Sequence, residues 1–264
     1  MDLGLQARRA LVTGSTAGIG LAAARLLAAE GVSVVLNGRT EARVSAAVAA
    51  VRAALPAADV RGVAADLSTS GGCQAVFQKV EEVDVLVNNL GIFEPRPFED
   101  ISDADWLRFF ETNVLSGVRL TRHYLPGMRA RNWGRVVFVS SESAVQIPAE
   151  MIHYGMTKTA QLAVARGLAE TTVGTGVTVN SVLPGPTASE GVATFVARLA
   201  AERGTDFPTM EREFFATARP SSLLRRFATP EEVAAMIVYV CSSRASATNG
   251  AALRVDGGVV RSIV

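Results

Sequence analysis

Ala10-Leu11-Val12-Thr13-Gly14-Ser15-Thr16-Ala17-Gly18-Ile19-Gly20 carries a short apolar run straight into a glycine-rich loop, and an alanine- and leucine-rich segment follows as far as Glu30. Ala10–Thr13 reads as a buried strand and Ile19–Glu30 as a helix, so the glycines fall where a strand turns into a helix. In that setting glycines permit a tight turn, let backbone amides approach a pyrophosphate and draw the helix close to the sheet. The helix N-terminus adds a partial positive charge that favours phosphate. Gly14, Ser15, Thr16, Gly18, Ile19 and Gly20 are therefore candidate cofactor-binding residues of a dinucleotide site.

Outward from this unit the same alternation repeats. Val32–Leu36, Val60–Ala64, Val83–Val87, Val136–Val139, Val177–Val182 and Ala252–Val255 are short β-branched runs that read as further strands. Glu41–Ala54, Cys73–Lys79, Asp103–Arg131, Tyr154–Thr172 and Glu231–Cys241 have helical length and periodicity, with Asp103–Arg131 expected to be two helices. Such alternation predicts an α/β fold, a doubly wound (Rossmann) parallel sheet of about seven strands with helices on both faces. Thr229-Pro230-Glu231-Glu232 signs one helix start with an N-cap, a first-turn proline and a capping-box glutamate. The alternation lapses over 186–229, and so long an insert before the last helix and strand is expected to act as a helical lid over a substrate.

Length and charge bound the rest. A chain of 264 residues is within reach of one α/β domain, so 1–264 is expected to be a single NAD(P)-binding domain. No apolar run approaches the roughly 18 to 20 residues needed to span a bilayer. Met1–Arg9 leads into the first strand without a long apolar region or a small-residue cleavage site, so a soluble, cytoplasmic protein with no membrane partner is expected. A net charge of +1, with basic pairs only at Arg8-Arg9 and Arg225-Arg226, gives no footprint for nucleic acid. Cys73 and Cys241 are expected to be free thiols, and no Cys/His cluster has metal-ligand spacing, so no metal is expected.

About 20 residues beyond the glycine loop, where an acid would bind the ribose 2′-hydroxyl of NAD, stand Asn37-Gly38-Arg39. Arg39 can pair with a 2′-phosphate, which favours NADP(H) over NAD(H); the bland alternative is a solvated surface arginine. Asp66 follows the third strand and either meets the adenine amino group or caps the next helix, and Leu67 is grouped with it on the cofactor side. In the second half, Tyr154 and Lys158 lie four residues apart on a predicted helix and so share a face. A phenol titrating near pH 10 is a poor acid–base catalyst, and an adjacent ammonium is expected to lower that value. Ser141, at the carboxyl end of Val136–Val139, is placed to hold the same substrate oxygen, whereas Ser140 should face the other side.

With these residues in view, the chain resembles the short-chain dehydrogenase/reductase family, and 3-oxoacyl reductase-like members in particular. The glycine loop Thr13–Gly20, Asn88-Asn89-Leu90-Gly91, Asn113, Ser141, Tyr154-Gly155-Met156-Thr157-Lys158 and Pro184-Gly185 occur in the family's order over essentially the full length. The resemblance implies that Ser141 positions a carbonyl, Tyr154 gives or takes the proton, Lys158 also binds the nicotinamide ribose, and Asn113 holds a water of the proton relay. It further implies that Asn89 and Gly91 line the adenosine side and that Pro184, Gly185, Thr187 and Ser189 cover the nicotinamide. A homodimer or homotetramer is implied as well, with 257–264 as a contact surface. Leu90, where alanine is usual, is expected to crowd the cofactor slightly, and Thr187 departs from the usual Ile or Val.

The function expected is reduction of a ketone or 3-oxoacyl thioester with NADP(H). The alternatives are NAD(H)-dependent oxidation of a secondary alcohol such as a sugar or steroid, and an NADP(H)-sensing module without turnover. His153 should point about 100° away from Tyr154, and His123 is expected to be an ordinary packed or surface histidine. Glu142 and Glu150 are expected to be solvated loop carboxylates. In the insert, Phe195, Val196, Leu199, Phe207, Phe214, Phe215, Leu223 and Leu224 suggest amphipathic walls for a partly hydrophobic substrate, while Arg219, Arg225 and Arg226 would suit an anionic one.

Overall fold

A computed structural model of the chain describes residues 2–192 and 204–263; Phe195, Val196 and Leu199 lie outside them. Seven strands, β1 (Arg9–Val12), β2 (Ser33–Gly38), β3 (Val60–Ala64), β4 (Val85–Asn88), β5 (Gly134–Val139), β6 (Val177–Pro184) and β7 (Ala252–Val255), form one sheet in the order β3-β2-β1-β4-β5-β6-β7. Every pairing is parallel. The strand order reverses between β1 and β4, which opens a crevice at the carboxyl ends of those strands.

Helices cover both faces, and the pleat distributes side chains between them. On one face Ala10 and Val12 of β1 and Val34 and Leu36 of β2 pack against α1 (Gly18–Ala29) through Ala23 and Leu27. The last helix, α8 (Pro230–Cys241), joins that core with Val233 and Ile237. On the other face Leu11 and Val35 meet Val76 of α3 (Ser70–Lys79), Leu120 and Tyr124 of α5 (Ser116–Ala130) and Ala165 of α6 (Ile152–Glu170). A further helix, α2 (Glu41–Ala54), follows β2.

Local chemistry fixes the helix starts. Thr229 and Glu232 exchange side chain-to-backbone hydrogen bonds across Pro230, the expected capping box. Thr69, not Asp66, caps α3; Asp66 instead accepts from the Ser68 N–H and hydroxyl. The long 103–131 segment forms two α-helices, as expected, but without a break in the helical chain. α4 (Asp103–Phe110) runs into a π-helical turn, Glu111–Leu115, and on into α5, because no glycine or proline lies between Phe110 and Ser116. That turn buries Thr112, Asn113 and Val114.

The insert is pinned at its base by a parallel bridge between Thr187 and Ala228. Its helix α7 (Phe207–Thr217), capped by Asp206, contributes Met210, Phe214 and Phe215 to a cluster with Phe227 and Val192. Leu223 and Leu224 do not join it: they lie over the tight turn at Gly257 and Gly258, and Leu223 is 84% exposed. Among the described residues no helix is long and apolar enough to cross a membrane, no group of side chains can hold a metal, and Cys73 and Cys241 are free and buried.

Candidate active site

The loop after β1 is held open by its neighbours. The Thr13 hydroxyl accepts from the Asn89 and Leu90 N–H groups at 2.9 Å each, and the Asn89 amide donates to the Thr13 and Gly14 carbonyls at 2.9 and 3.0 Å. Gly14 and Gly18 have φ of +58° and +54°, and a Cβ on Gly20 would stand 2.5 Å from Asn89 Nδ2. The loop therefore tolerates only glycine at these points. α1 begins at Gly18 after Ala17, which offers no side-chain cap, and has no acidic residue in its first turn. Its orphan N–H groups fit an incoming pyrophosphate.

The neighbouring residues differ in what they can offer. Ser15 is fully buried, its hydroxyl donating to the Val12 carbonyl and accepting from the Asn37 N–H, so it braces the loop from within. Asn37 is likewise engaged, donating to the Val63 and Ala65 carbonyls. Thr16 sits over Gly38, where a Cβ would meet its methyl group at 2.5 Å. Arg39 is exposed at the end of β2 and makes no ion pair among the described residues. The Leu67 side chain is buried in the core, leaving only its backbone to face a ligand, and Asp66 is exposed. Leu90 is partly buried and packs on that core.

The reacting end lies where β4, β5 and β6 finish. A cavity of about 430 Å³ is lined by Ile19, Asn89, Gly91, Ser141, Tyr154 and Lys158, and by Pro184, Gly185, Thr187 and Ser189 from the other side. Ser140 also borders the cavity, but its hydroxyl is taken up by the Lys158 carbonyl, which clamps α6 to β5. Lys158, 4% exposed, donates to the Val139 carbonyl at 3.0 Å and to Gln161 Oε1 at 3.3 Å, with Nζ 5.6 Å from the Tyr154 ring centroid. Burial pulls its ammonium down to about 8. A Cβ on Gly91 would come within 3.3 Å of that Nζ. Asn113 stands behind: its side chain donates to the Ile92 carbonyl and the Thr157 hydroxyl and accepts from the Ile92 N–H.

Tyr154 departs from expectation. Its phenol is raised, not lowered: burial pushes it up, a hydrogen bond with Ser141 works against that, and the Glu142 charge adds to the rise. Glu142 is itself a correction. It is buried, accepts from the Ser141 hydroxyl and pairs with Arg219 Nε at 3.2 Å, while Arg219 Nη1 reaches Glu150 at 3.1 Å. The insert folds back over the cavity and supplies that guanidinium, so neither carboxylate is simply solvated. Arg225 donates to the Phe215 carbonyl and Arg226 pairs with Glu232, which engages both outside the cavity. His153 is buried against Phe109, ring centroids 4.0 Å apart, and His123 stacks on Phe77.

Known proteins resemble the chain over its whole length. A family profile described as enoyl-(acyl carrier protein) reductase matches residues 14–260. The uncharacterised oxidoreductase YvaG of Bacillus subtilis is 48% identical over 263 residues, covering 100% of both chains. The chain belongs to the short-chain dehydrogenase/reductase family. D-beta-hydroxybutyrate dehydrogenase of Cupriavidus necator is 33% identical, covering 97% of this chain and 99% of its own. L-sorbose reductase of Gluconobacter frateurii, solved with NADPH and L-sorbose, superposes with a TM-score of 0.93 at 32% identity over 100% of both chains. As a short-chain dehydrogenase/reductase the protein is a nicotinamide-dependent oxidoreductase acting on alcohol or carbonyl substrates.

One group, Gln161, escaped the sequence reading, and so did the pairing of Arg219 with Glu142. Gln161 carried a signal: it falls three residues after Lys158 and seven after Tyr154, on their face of α6. The pairing of Arg219, named from the sequence only as a partner for an anion, carried none, since 77 residues separate it from Glu142.

Proposed function

We propose that the protein is an NADP(H)-dependent reductase of uncharged ketones, with Tyr154 as general acid. The observation that carries this reading is the convergence of Ser141, Tyr154 and Lys158 on one cavity whose wall is otherwise largely apolar, with Ile92, Phe93, Met151, Val192, Met210 and Phe214. A bound NADP(H) supplies the hydride. Tyr154, held protonated by burial, is suited to give its proton to the carbonyl oxygen as the hydride arrives. Ser141 holds that oxygen, exchanging its bond to Glu142 for one to the substrate, and the Lys158 charge stabilises the phenolate left behind. Asn113 fixes the π-helical turn against α6 through Thr157. Arg39 supports NADP(H), because among the described residues its guanidinium has no carboxylate to leave before meeting a 2′-phosphate.

The charge of the pocket supports an uncharged substrate. Arg219 is shared by two carboxylates and has no spare charge for an anion, and that cluster balances the Lys158 ammonium across the same cavity, which leaves no net positive charge to draw one. The hydroxyl of Ser143 and the half-exposed carboxylate of Glu150 would suit a ketone bearing hydroxyl groups. The test is NADPH oxidation with L-sorbose, with apolar neutral ketones and with acetoacetate. A neutral ketone should be reduced with the higher kcat/KM, and Tyr154→Phe should lower kcat by about 100-fold or more while NADPH still binds. Preference for acetoacetate would defeat the charge argument; full activity in Tyr154→Phe would defeat the mechanism.

A further inference from the structure

The Gln161 amide lies behind the reacting face, where nothing in the reaction as described so far requires it. It is 1% exposed, and its neighbours Lys158 and Asn113 are 4% and 1% exposed. Gln161 Oε1 accepts from Lys158 Nζ, and Gln161 Nε2 donates to the main-chain carbonyl of Asn113 in the π-helical turn. A lysine ammonium only donates and a carbonyl only accepts, so the two partners fix which way round the amide sits. The bridge spans the place where a water held by the Asn113 carbonyl would have to touch Lys158.

We propose that Gln161 is a positioning residue of the reaction centre, tying the Lys158 ammonium to the Asn113 carbonyl and replacing a relay water at that point. This rests on the reading of Tyr154 and Lys158 as the proton-handling pair. An amide neither takes up nor releases a proton near neutral pH, so the path behind Lys158 closes there and the proton returns to Tyr154 from the cavity side. Two of the three ammonium donors are engaged by Val139 and Gln161, and one remains for the cofactor side. The bridge thus aims that donor and keeps the charge in place. Among the groups around Lys158, the titratable one on its own helix is Tyr154; Glu142 after β5 and Arg219 after α7 act on Tyr154.

The chain holds only two lysines, Lys79 and Lys158, so protein labelled with 13C at lysine Cε gives two signals, and exposed Lys79 serves as the internal control. Gln161→Met removes both hydrogen bonds at similar volume, and the Lys158 titration should fall by about one to two pH units, as expected for a lost hydrogen bond to a charged group. Gln161→Glu restores an acceptor on Lys158 but no donor to Asn113, and the titration should stay or rise. In turnover with NADPH, the alkaline limb of kcat should move down in Gln161→Met and not in Gln161→Glu, with KM for the ketone changing less than about twofold. An unmoved Lys158 titration in Gln161→Met, or equal loss in both variants, overturns the proposal. If neither variant folds, the Gln161 side-chain amide of the native protein decides: slow hydrogen exchange is expected, and rapid exchange refutes the bridge. Should the native protein transfer no hydride at all, the functional reading fails on its own, while the titration still judges Gln161.

Discussion

Arg219 joins the insert to the reaction centre, and its replacement tests whether the two are energetically coupled. Its side chain is 10% exposed, that of Glu142 is 7% and that of Glu150 is 49%. Removing one partner of a buried pair costs about 3–5 kcal/mol, mainly because the remaining charge is stranded. The half-exposed arm to Glu150 adds at most about 1 kcal/mol. Glu142 keeps the Ser141 hydroxyl as a donor, which places Arg219→Met near the lower end, about 3 kcal/mol. Glu142→Gln leaves Arg219 paired with Glu150 and should cost about 1–2 kcal/mol. In the double variant no buried charge is stranded, so its cost should be about 2 kcal/mol and not the sum, a coupling of about 2–3 kcal/mol. Urea unfolding of the two single variants and the double at one protein concentration measures this directly. Arg219→Met alone should lower Tm by about 6–12 °C in a chain of this size. Costs that add to within about 0.5 kcal/mol would refute the reasoning, showing that water reaches Glu142 and that the pair is a surface contact.

Arg39→Ala should weaken NADPH binding by about 10- to 100-fold and leave NADH within about twofold, read by fluorescence titration; equal weakening of both, or tighter NADH than NADPH in the native protein, would make Arg39 a surface residue. Lys158, pulled down by burial to about 8 from 10.5, binds fewer protons folded than unfolded between those values, so the ligand-free protein should gain stability as pH rises through that window. Lys158→Met should flatten the rise in Tm, and comparing the two proteins removes the opposing effect of the buried Cys241 thiol, pushed up to about 12. Thr229→Ala deletes the cap of α8 and should cost about 1 kcal/mol, a fall in Tm of about 2–4 °C without change in kcat.

What could be read in the sequence was what short range decides. Glu41–Ala54, Val60–Ala64 and Ala252–Val255 begin and end where the periodicity placed them, because caps, apolar period and turn residues lie within a few positions of one another. Other boundaries moved by one to three residues, as at Ser70, where Thr69 caps earlier than the first apolar residue suggested. The π-helical turn was hidden because a one-residue insertion in a helix leaves the side-chain chemistry helical throughout. Thr13, Asn89 and Ser15 were legible as a motif but not as braces, since their partners come from β2 and β4. The raised phenol of Tyr154 was misjudged for a related reason: spacing showed the ammonium on its own helix but not Glu142 and the burial imposed from elsewhere.

The sheet explains why the two halves of the site differ in this respect. Strands β1, β4, β5 and β6 end side by side, so residues far apart in sequence reach one crevice on rigid supports, and parallel pairing fixes their register. The insert between β6 and α8 obeys no such register; it is pinned at Thr187 and Ala228 and otherwise positioned by its own apolar cluster and by Arg219. On the function proposed above, reaction type rests on Ser141, Tyr154 and Lys158, and substrate choice on where Arg219, Met210 and Phe214 come to rest. A change to the Arg219 cluster should accordingly alter KM and preference among ketones while leaving hydride transfer from NADPH intact, and changes at Tyr154 should do the reverse.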